Sequence, residues 1–470
     1  MRFVTAPRAG IVIAAVIAAL GLTSCGGGGG TGGSVTAPPT ASPSASPTST
    51  PTPAPAAVTF SVVGIGSMYS TVSLDTNGSG VPGDAGDAAS ATTTRGEFGR
   101  DAAVIPNRIS GTIPATASVA LQAWGRDSVT GLPLTMMNAP AGATVISPYS
   151  ALVFAHGSES TVRSALGLDA GGDAIRVTLD PLTFNPSQNL ESSDPAVVRD
   201  AARLTSINVQ LIAMAILLKD TNGDWVDRGA PLDLSSHYLA ELIREGVGAR
   251  LADRGVILAA LRKSAYRTLG DANLGLMADY LSAYFRTIPA LLLTPAEARA
   301  WMHAFQFGVL ADIRAPNFLS PSRVIPDEAA IRAMAAAYMD APSPVGTAFF
   351  TTTDYRELTN DPAKAMDFHS VLTSCSNDTA LPTCNDSEEY FGMEIVAGQP
   401  VARVTAATPQ DSMKLSVTLN PDGSITMSRV GDFLGLTWFT YTAQMPNGAT
   451  ANGRVYVRMR AFIAGAQPNN

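Results

Sequence analysis

The chain has 470 residues, of which only 15% are charged, and a net charge of −8. Just four lysines occur, Lys219, Lys263, Lys364 and Lys414, so no basic stripe is available to neutralise a phosphate backbone, and nucleic acid is excluded as a partner. Length leaves room for several domains, and 46% hydrophobic residues supply a sizeable core.

Arg2 and Arg8 flank a polar start, and Ile11 to Leu22 is a nearly unbroken apolar run. It is shorter than the roughly 20 residues that span a bilayer, which reads as the core of a signal peptide. The run ends in Leu22-Thr23-Ser24-Cys25, which resembles the lipobox of bacterial lipoproteins. That resemblance implies cleavage after residue 24, a diacylglycerol on the Cys25 thiol and attachment to the membrane through this lipid. Gly26 comes next, without the aspartate that marks inner-membrane retention. An outer-membrane anchor, facing the periplasm or the cell surface, is the implied destination.

Residues 25–57 carry the lipidated cysteine and a Gly, Pro, Ser and Thr tract that has too little apolar surface to offset chain entropy. Extended at roughly 3 Å per residue, such a tether holds the folded part of the chain well off the lipid.

From Val58 to Ala143, runs rich in Val, Ile and Thr alternate with Gly, Pro and Asn turns: TFSVVGIGS, STVSLDT, AAVIPNRI and ASVALQAWG. They predict a small antiparallel β-sandwich. The stretch VSLDTNGSGVPGDAGDAASATTTRGEFG resembles the collagen-adhesin and Sdr B-type repeats of bacterial surface proteins. WGRDSVTGLPLTMMNAPAGATVISPYSALV is similar to the segment that succeeds such a module in secreted surface proteins. Together these imply a cell-surface module.

Residues 144–345 read as an α-helical bundle of about five helices with short connections. In the first, Asp194 caps, Pro195 takes the first helical position, and apolar residues recur at Val197, Ala201, Leu204, Leu211, Ala215 and Leu218. SSHYLAELIREGVGARL, GVILAALRKSAYRTL, DANLGLMADYLSAYFRTI and IPDEAAIRAMAAAYMDA carry the same periodicity. Thr294-Pro295-Ala296-Glu297 spells a capping box opening a helix with Trp301, Met302, Phe305 and Val309, a stripe expected in the core.

Residues 346–389 are irregular and contain Cys375 and Cys384 in SCSNDTALPTC. An even pair in an oxidising compartment is expected to form a disulfide. From 390 to 470 strands return. LNPDGSITMSRVGDFLGLTWFTYTAQMPNGATANGRVYVRM resembles a bacterial cadherin-like, immunoglobulin-like repeat and implies a second β-sandwich. The fold class expected for the whole chain is therefore multidomain α+β.

Catalytic signals are sparse. The histidines are His156, His237, His303 and His369. Phe154-Ala155-His156-Gly157-Ser158 has the His-Gly of an esterase oxyanion loop, but no Gly-x-Ser-x-Gly elbow accompanies it, and a surface turn is the favoured reading. His237 and His303 fall within helix patterns, at caps or core edges, with no second histidine at zinc-ligand spacing.

Two loops share the tetrapeptide DTNG, at Asp75 and at Asp220. Counted as a calcium loop, the first offers Asp75, Asn77 and Ser79 with Gly80 at the sixth position, and Asp84 and Asp87 nearby. The second offers Asp220, Asn222 and Asp224 but has Trp225 where glycine is needed. Calcium, the one cofactor considered, and a metal-free Asx turn both stay open for each loop. The leading expectation is a lipid-anchored, non-catalytic protein for adhesion or for matrix, glycan or surface-protein binding. The alternatives are a polysaccharide-acting hydrolase or lyase with accessory β-modules, and an envelope scaffold.

Overall fold

The computed structural model describes residues 56–62, 68–75, 88–92, 108–113, 120–126, 133–169, 176–219, 230–315, 318–319, 323–342, 353–359, 367–368, 403–421, 425–444, 448 and 450–461. Residues 1–24, expected to be a signal peptide, Cys25, Cys375, Cys384, Asn77, Ser79, Asp84, Asp87 and residues 220–229 lie outside them, and Asp75 is the last residue of a strand. The described chain is a mixture of helices and mainly antiparallel sheets, an α+β arrangement.

Strands β1 (Ala56–Val62), β2 (Met68–Asp75), β3 (Ala88–Thr92), β4 (Arg108–Ile113), β5 (Ala120–Arg126), β6 (Pro133–Ala139) and β7 (Val145–Ile146) form two sheets, ordered β3-β2-β5-β6 and β4-β1-β7. The described end of the run AAVIPNRI, Arg108 and Ile109, opens β4, which pairs with β1. One detail departs from expectation. A boundary after Ala143 is crossed by β7, which pairs in parallel with β1.

Met137 and Ala139 at the end of β6 are fully buried and join the helical core. The chain then turns directly into α1 (Pro148–His156), where Ser147 and Ser150 form a reciprocal capping box and Ser150 Oγ donates to the Asn138 carbonyl. Gly157 ends α1 in the left-handed conformation, and Ser158 caps α2 (Glu159–Ala165).

α3 (Pro195–Lys219) opens as the sequence predicts, with Asp194 Oδ1 accepting from the Ala196 amide at 2.8 Å. Its residues 195–218 have a mean hydropathy of 1.6, but 83% of its most apolar window is buried, as suits the central helix of a packed layer. α4 (Ala230–Arg244) begins earlier than the SSHYLAEL pattern and stops where Gly246 and Gly248 adopt positive φ. α5 (Arg254–Lys263) ends at Ser264, which also starts a 3₁₀ turn, so the single GVILAALRKSAYRTL pattern divides in two.

α6 (Asp271–Thr287) precedes α7 (Pro295–His303), whose capping box is formed as expected: Glu297 N donates to Thr294 Oγ1 at 3.1 Å, and Thr294 N to Glu297 Oε2 at 3.0 Å. The helix widens into a π turn over Ala304–Val309 before α8 (Leu310–Arg314). α9 (Glu328–Ala336) is capped by Asp327. Trp301, Met302, Phe305 and Val309 all lie in the core.

The segment 346–389, irregular by its sequence, supplies two strands, β8 (Thr353–Thr359) and β9 (Asp367–Phe368). With β10 (Arg403–Pro409), β11 (Leu415–Leu419), β12 (Ile425–Arg429), β13 (Gly435–Gln444) and β14 (Thr450–Arg460) they make sheets ordered β10-β13-β14-β8 and β11-β12-β9. The β8–β14 pairing is parallel. The turns at Asp432 and Gly448 fall where the sequence pattern places them.

Strand alternation splits this unit's contacts in two. Phe439 and Tyr441 of β13, and Val455, Val457 and Met459 of β14, enter a core shared with Leu415, Ile425 and Met427 of the other sheet. The intervening residues Leu436, Trp438 and Tyr456 pack instead into the helical core. The last sheet is thus buried on both faces.

Candidate functional site

The seam between β14 and the helices gathers the densest buried charge among the described residues. Asp312, from α8, is 7% exposed. Its Oδ1 pairs with Arg458 Nη1 at 3.0 Å and Arg460 Nη2 at 3.2 Å, and its Oδ2 with Arg323 Nη2 at 3.0 Å. The Tyr280 hydroxyl, from α6, donates to Oδ2 at 2.9 Å. Burial, and then the Asp312 charge, hold the Tyr280 phenol strongly towards its neutral form.

At the other end of the same strand face, the Arg454 guanidinium lies 3.9 Å from the Trp438 ring centroid. It pairs with Asp340 at 3.0 Å and donates to the Tyr456 hydroxyl at 3.1 Å. Tyr456 meets Tyr338 edge to face at 4.7 Å. The buried Asp312 carboxylate, held by three arginines and a tyrosine, docks the sheet onto the helices.

His303, expected at a cap or core edge, sits at the core itself with 0% exposure. Its ring stacks on Phe307 at 5.0 Å, and neither ring nitrogen has a hydrogen-bond partner. Burial, reinforced by the Arg299 charge, pushes its pKa down to about 3. The histidine is neutral and packed as an aromatic. The π turn beginning at Ala304 places Gly308 against Met334, where an added Cβ would overlap the thioether.

A second corner brings together residues that no sequence spacing links. Tyr149 is 1% exposed, and its buried hydroxyl makes no hydrogen bond. Arg163 ties the surrounding loops, with Nε 2.8 Å from Asp169 Oδ1 and Nη1 donating to the Leu179 carbonyl at 3.2 Å. The Glu159 carboxyl is shifted up by burial and then by the Asp180 charge. The local signals for this corner are only the Ser158 cap and the Asp180 turn, in which Asp180 Oδ1 accepts from the Leu182 amide at 2.9 Å.

His156-Gly157-Ser158 forms the surface turn that its sequence favours: α1 ends there, and Arg244 donates to the Ala155 and His156 carbonyls. His237 is exposed on α4. Of the five calcium candidates only Asp75 has its backbone described, so the loop's ligand geometry lies outside the described residues, as do the two cysteines. Among the described residues no three His, Cys, Asp or Glu side chains converge at metal-ligand spacing.

Comparison with protein families, with curated proteins and with solved structures finds no match in any of the three.

Proposed function

We propose that the chain is a lipid-anchored envelope protein, held at the outer membrane through Cys25 and displayed on its Gly/Pro tether, that binds extracellular glycan without catalysis. The observation that supports binding most directly is a pair of joined turns on the C-terminal sheets. The 410–414 and 430–434 turns are linked by the Val430 amide donating to the Lys414 carbonyl at 3.0 Å, and Lys414 Nζ lies 5.4 Å from the Phe433 ring centroid. They present Met413 at 76% and Leu434 at 51% exposure, large apolar side chains offered to water from two turns that are hydrogen-bonded to each other. Lipobox, tether and the B-type-like and cadherin-like resemblances support the surface setting.

The test is palmitate labelling of cells together with a glycan and protein binding screen. Cys25→Ser should abolish labelling, and Met413→Glu with Leu434→Glu should abolish glycan capture. Retained labelling refutes the anchor, and capture of protein alone replaces glycan by a surface protein. The Glu159 and Asp180 corner favours one second reading, a polysaccharide hydrolase, because a carboxyl shifted up beside a second carboxylate is what acid catalysis needs. Release of reducing ends by the full chain, lost in Glu159→Gln, would establish it in place of the binding reading.

A further inference from the structure

The turns that carry Met413 and Leu434 meet at one end of the β11-β12 pair, where Leu415 faces Arg429. Each is fixed from within. In the first, Asp411 Oδ1 accepts from the Met413 amide at 2.9 Å, and the Asp411 carbonyl accepts from the Lys414 and Leu415 amides at 3.1 Å. The second turns through Gly431 at φ +59°, and Arg429 Nη2 pairs across it with Asp432 Oδ1 at 3.3 Å. Met413 and Leu434 therefore stand on backbone that is set before any partner arrives, which lowers the ordering cost of a contact.

Lys414 follows Met413, Phe433 precedes Leu434, and the Lys414 ammonium over the Phe433 ring joins the four residues into one patch. The ring itself is engaged. It packs against the sandwich core, and a Cβ built on Gly435 would lie 3.4 Å from its Cζ. The outward apolar contact comes instead from the thin, unringed side chains of Met413 and Leu434. A thioether and an isobutyl group match a methyl better than they match the flat CH face of a bare sugar ring, which stacks on aromatic planes.

The polar half of the patch narrows the ligand further. An ammonium carries three donors; the Asp411 carboxylate takes one from Lys414 at 3.1 Å, and the lysine side chain is 44% exposed. Formal charges cancel locally, Lys414 against Asp411 and Arg429 against Asp432, and the chain as a whole carries −8, so the patch matches a neutral polymer rather than an acidic one. Apolar side chains next to a charged donor suit a methyl attached to a carbonyl.

We infer that the glycan taken at these turns is a neutral polymer of N-acetylated hexosamine, whose acetamido methyl packs on Met413 and Leu434 and whose carbonyl oxygen accepts from Lys414 Nζ. The inference rests on the glycan reading above and names the substituent that reading leaves open.

Isothermal titration of the full chain with the N-acetylglucosamine hexasaccharide of chitin and with the glucose hexasaccharide of cellulose tests it, because the two differ only in an acetamido group for a hydroxyl on each ring. The chitin fragment should bind at least about tenfold more tightly. Met413→Ala, Leu434→Ala and Lys414→Met should each weaken it by about threefold or more, with the melting temperature held, as loss of one apolar or one charge-assisted contact does. Val324→Ala, at an apolar residue 82% exposed on the segment before α9, should leave the affinity unchanged. Equal affinity for the two hexasaccharides, or capture of another glycan while the chitin fragment gives no heat, would overturn the acetamido preference and leave the glycan reading standing. Capture of no glycan at all would overturn both. Chitin-fragment affinity retained in Met413→Ala and Leu434→Ala, or lost equally in Val324→Ala, would overturn the site.

Discussion

Lowering the pH from 7 to 5 should destabilise this protein through one residue, His303. In the folded chain its imidazole is sealed among Phe307, Tyr338 and the Arg299 charge, with a pKa of about 3 against an ordinary 6.5. The unfolded chain therefore binds a proton throughout the window between those values while the folded chain does not. The stability associated with the neutral ring is complete above pH 6.5 and is lost progressively as pH falls towards 3. Integrating the two titrations between pH 7 and pH 5 gives about 2 kcal/mol. His303→Phe keeps an aromatic ring on Phe307 and removes the titration. Urea unfolding monitored by tryptophan fluorescence, with Trp301 and Trp438 as reporters in the helical core and at the seam, should show the wild type losing about 2 kcal/mol more than the variant over this interval. All other acids contribute equally to both proteins and cancel. Equal losses in the two would refute the burial argument, as would a wild type whose stability is flat from pH 7 to 5.

Asp312→Ala removes the carboxylate shared by Arg323, Arg458 and Arg460 and should cost about 3 to 5 kcal/mol; a change under about 1 kcal/mol would mean the seam does not hold the sheet. Gly453→Ala places a Cβ into the Tyr441 ring on the neighbouring strand and should cost about 1 to 3 kcal/mol. That cost should shrink in a Tyr441→Ala background, and a double-mutant cycle with no coupling would exclude the overlap as its cause. If the Asp75 loop binds calcium, the metal raises the melting temperature of the full chain and Asp75→Ala removes the shift; identical melting with calcium and with chelator decides for the Asx turn.

Local chemistry makes several features of this chain legible in its sequence. The Thr294–Glu297 capping box, the Asp194 cap with Pro195 behind it, the burial of α3 and the strand-turn rhythm of residues 415–460 all depend on neighbours in sequence, and each appears in the fold as expected. Helix ends are less legible. α5 stops at Ser264 because its hydroxyl turns back to the Leu261 carbonyl, a competition that apolar periodicity does not register.

What tertiary structure alone decided is where the alternate faces go. β13 and β14 show the period of a half-buried strand, and from periodicity one face should meet water. Instead Leu436, Trp438 and Tyr456 enter the helical core, and Arg454, Arg458 and Arg460 find Asp340 and Asp312, more than a hundred residues away in the chain. An arginine on a strand reads as a solvated residue until its partner is known, and no spacing connects position 458 to position 312. The same holds for His303, whose neutrality comes from rings and charge folded around it. Composition and local pattern determined the elements; long-range packing decided which charges are spent on holding the fold.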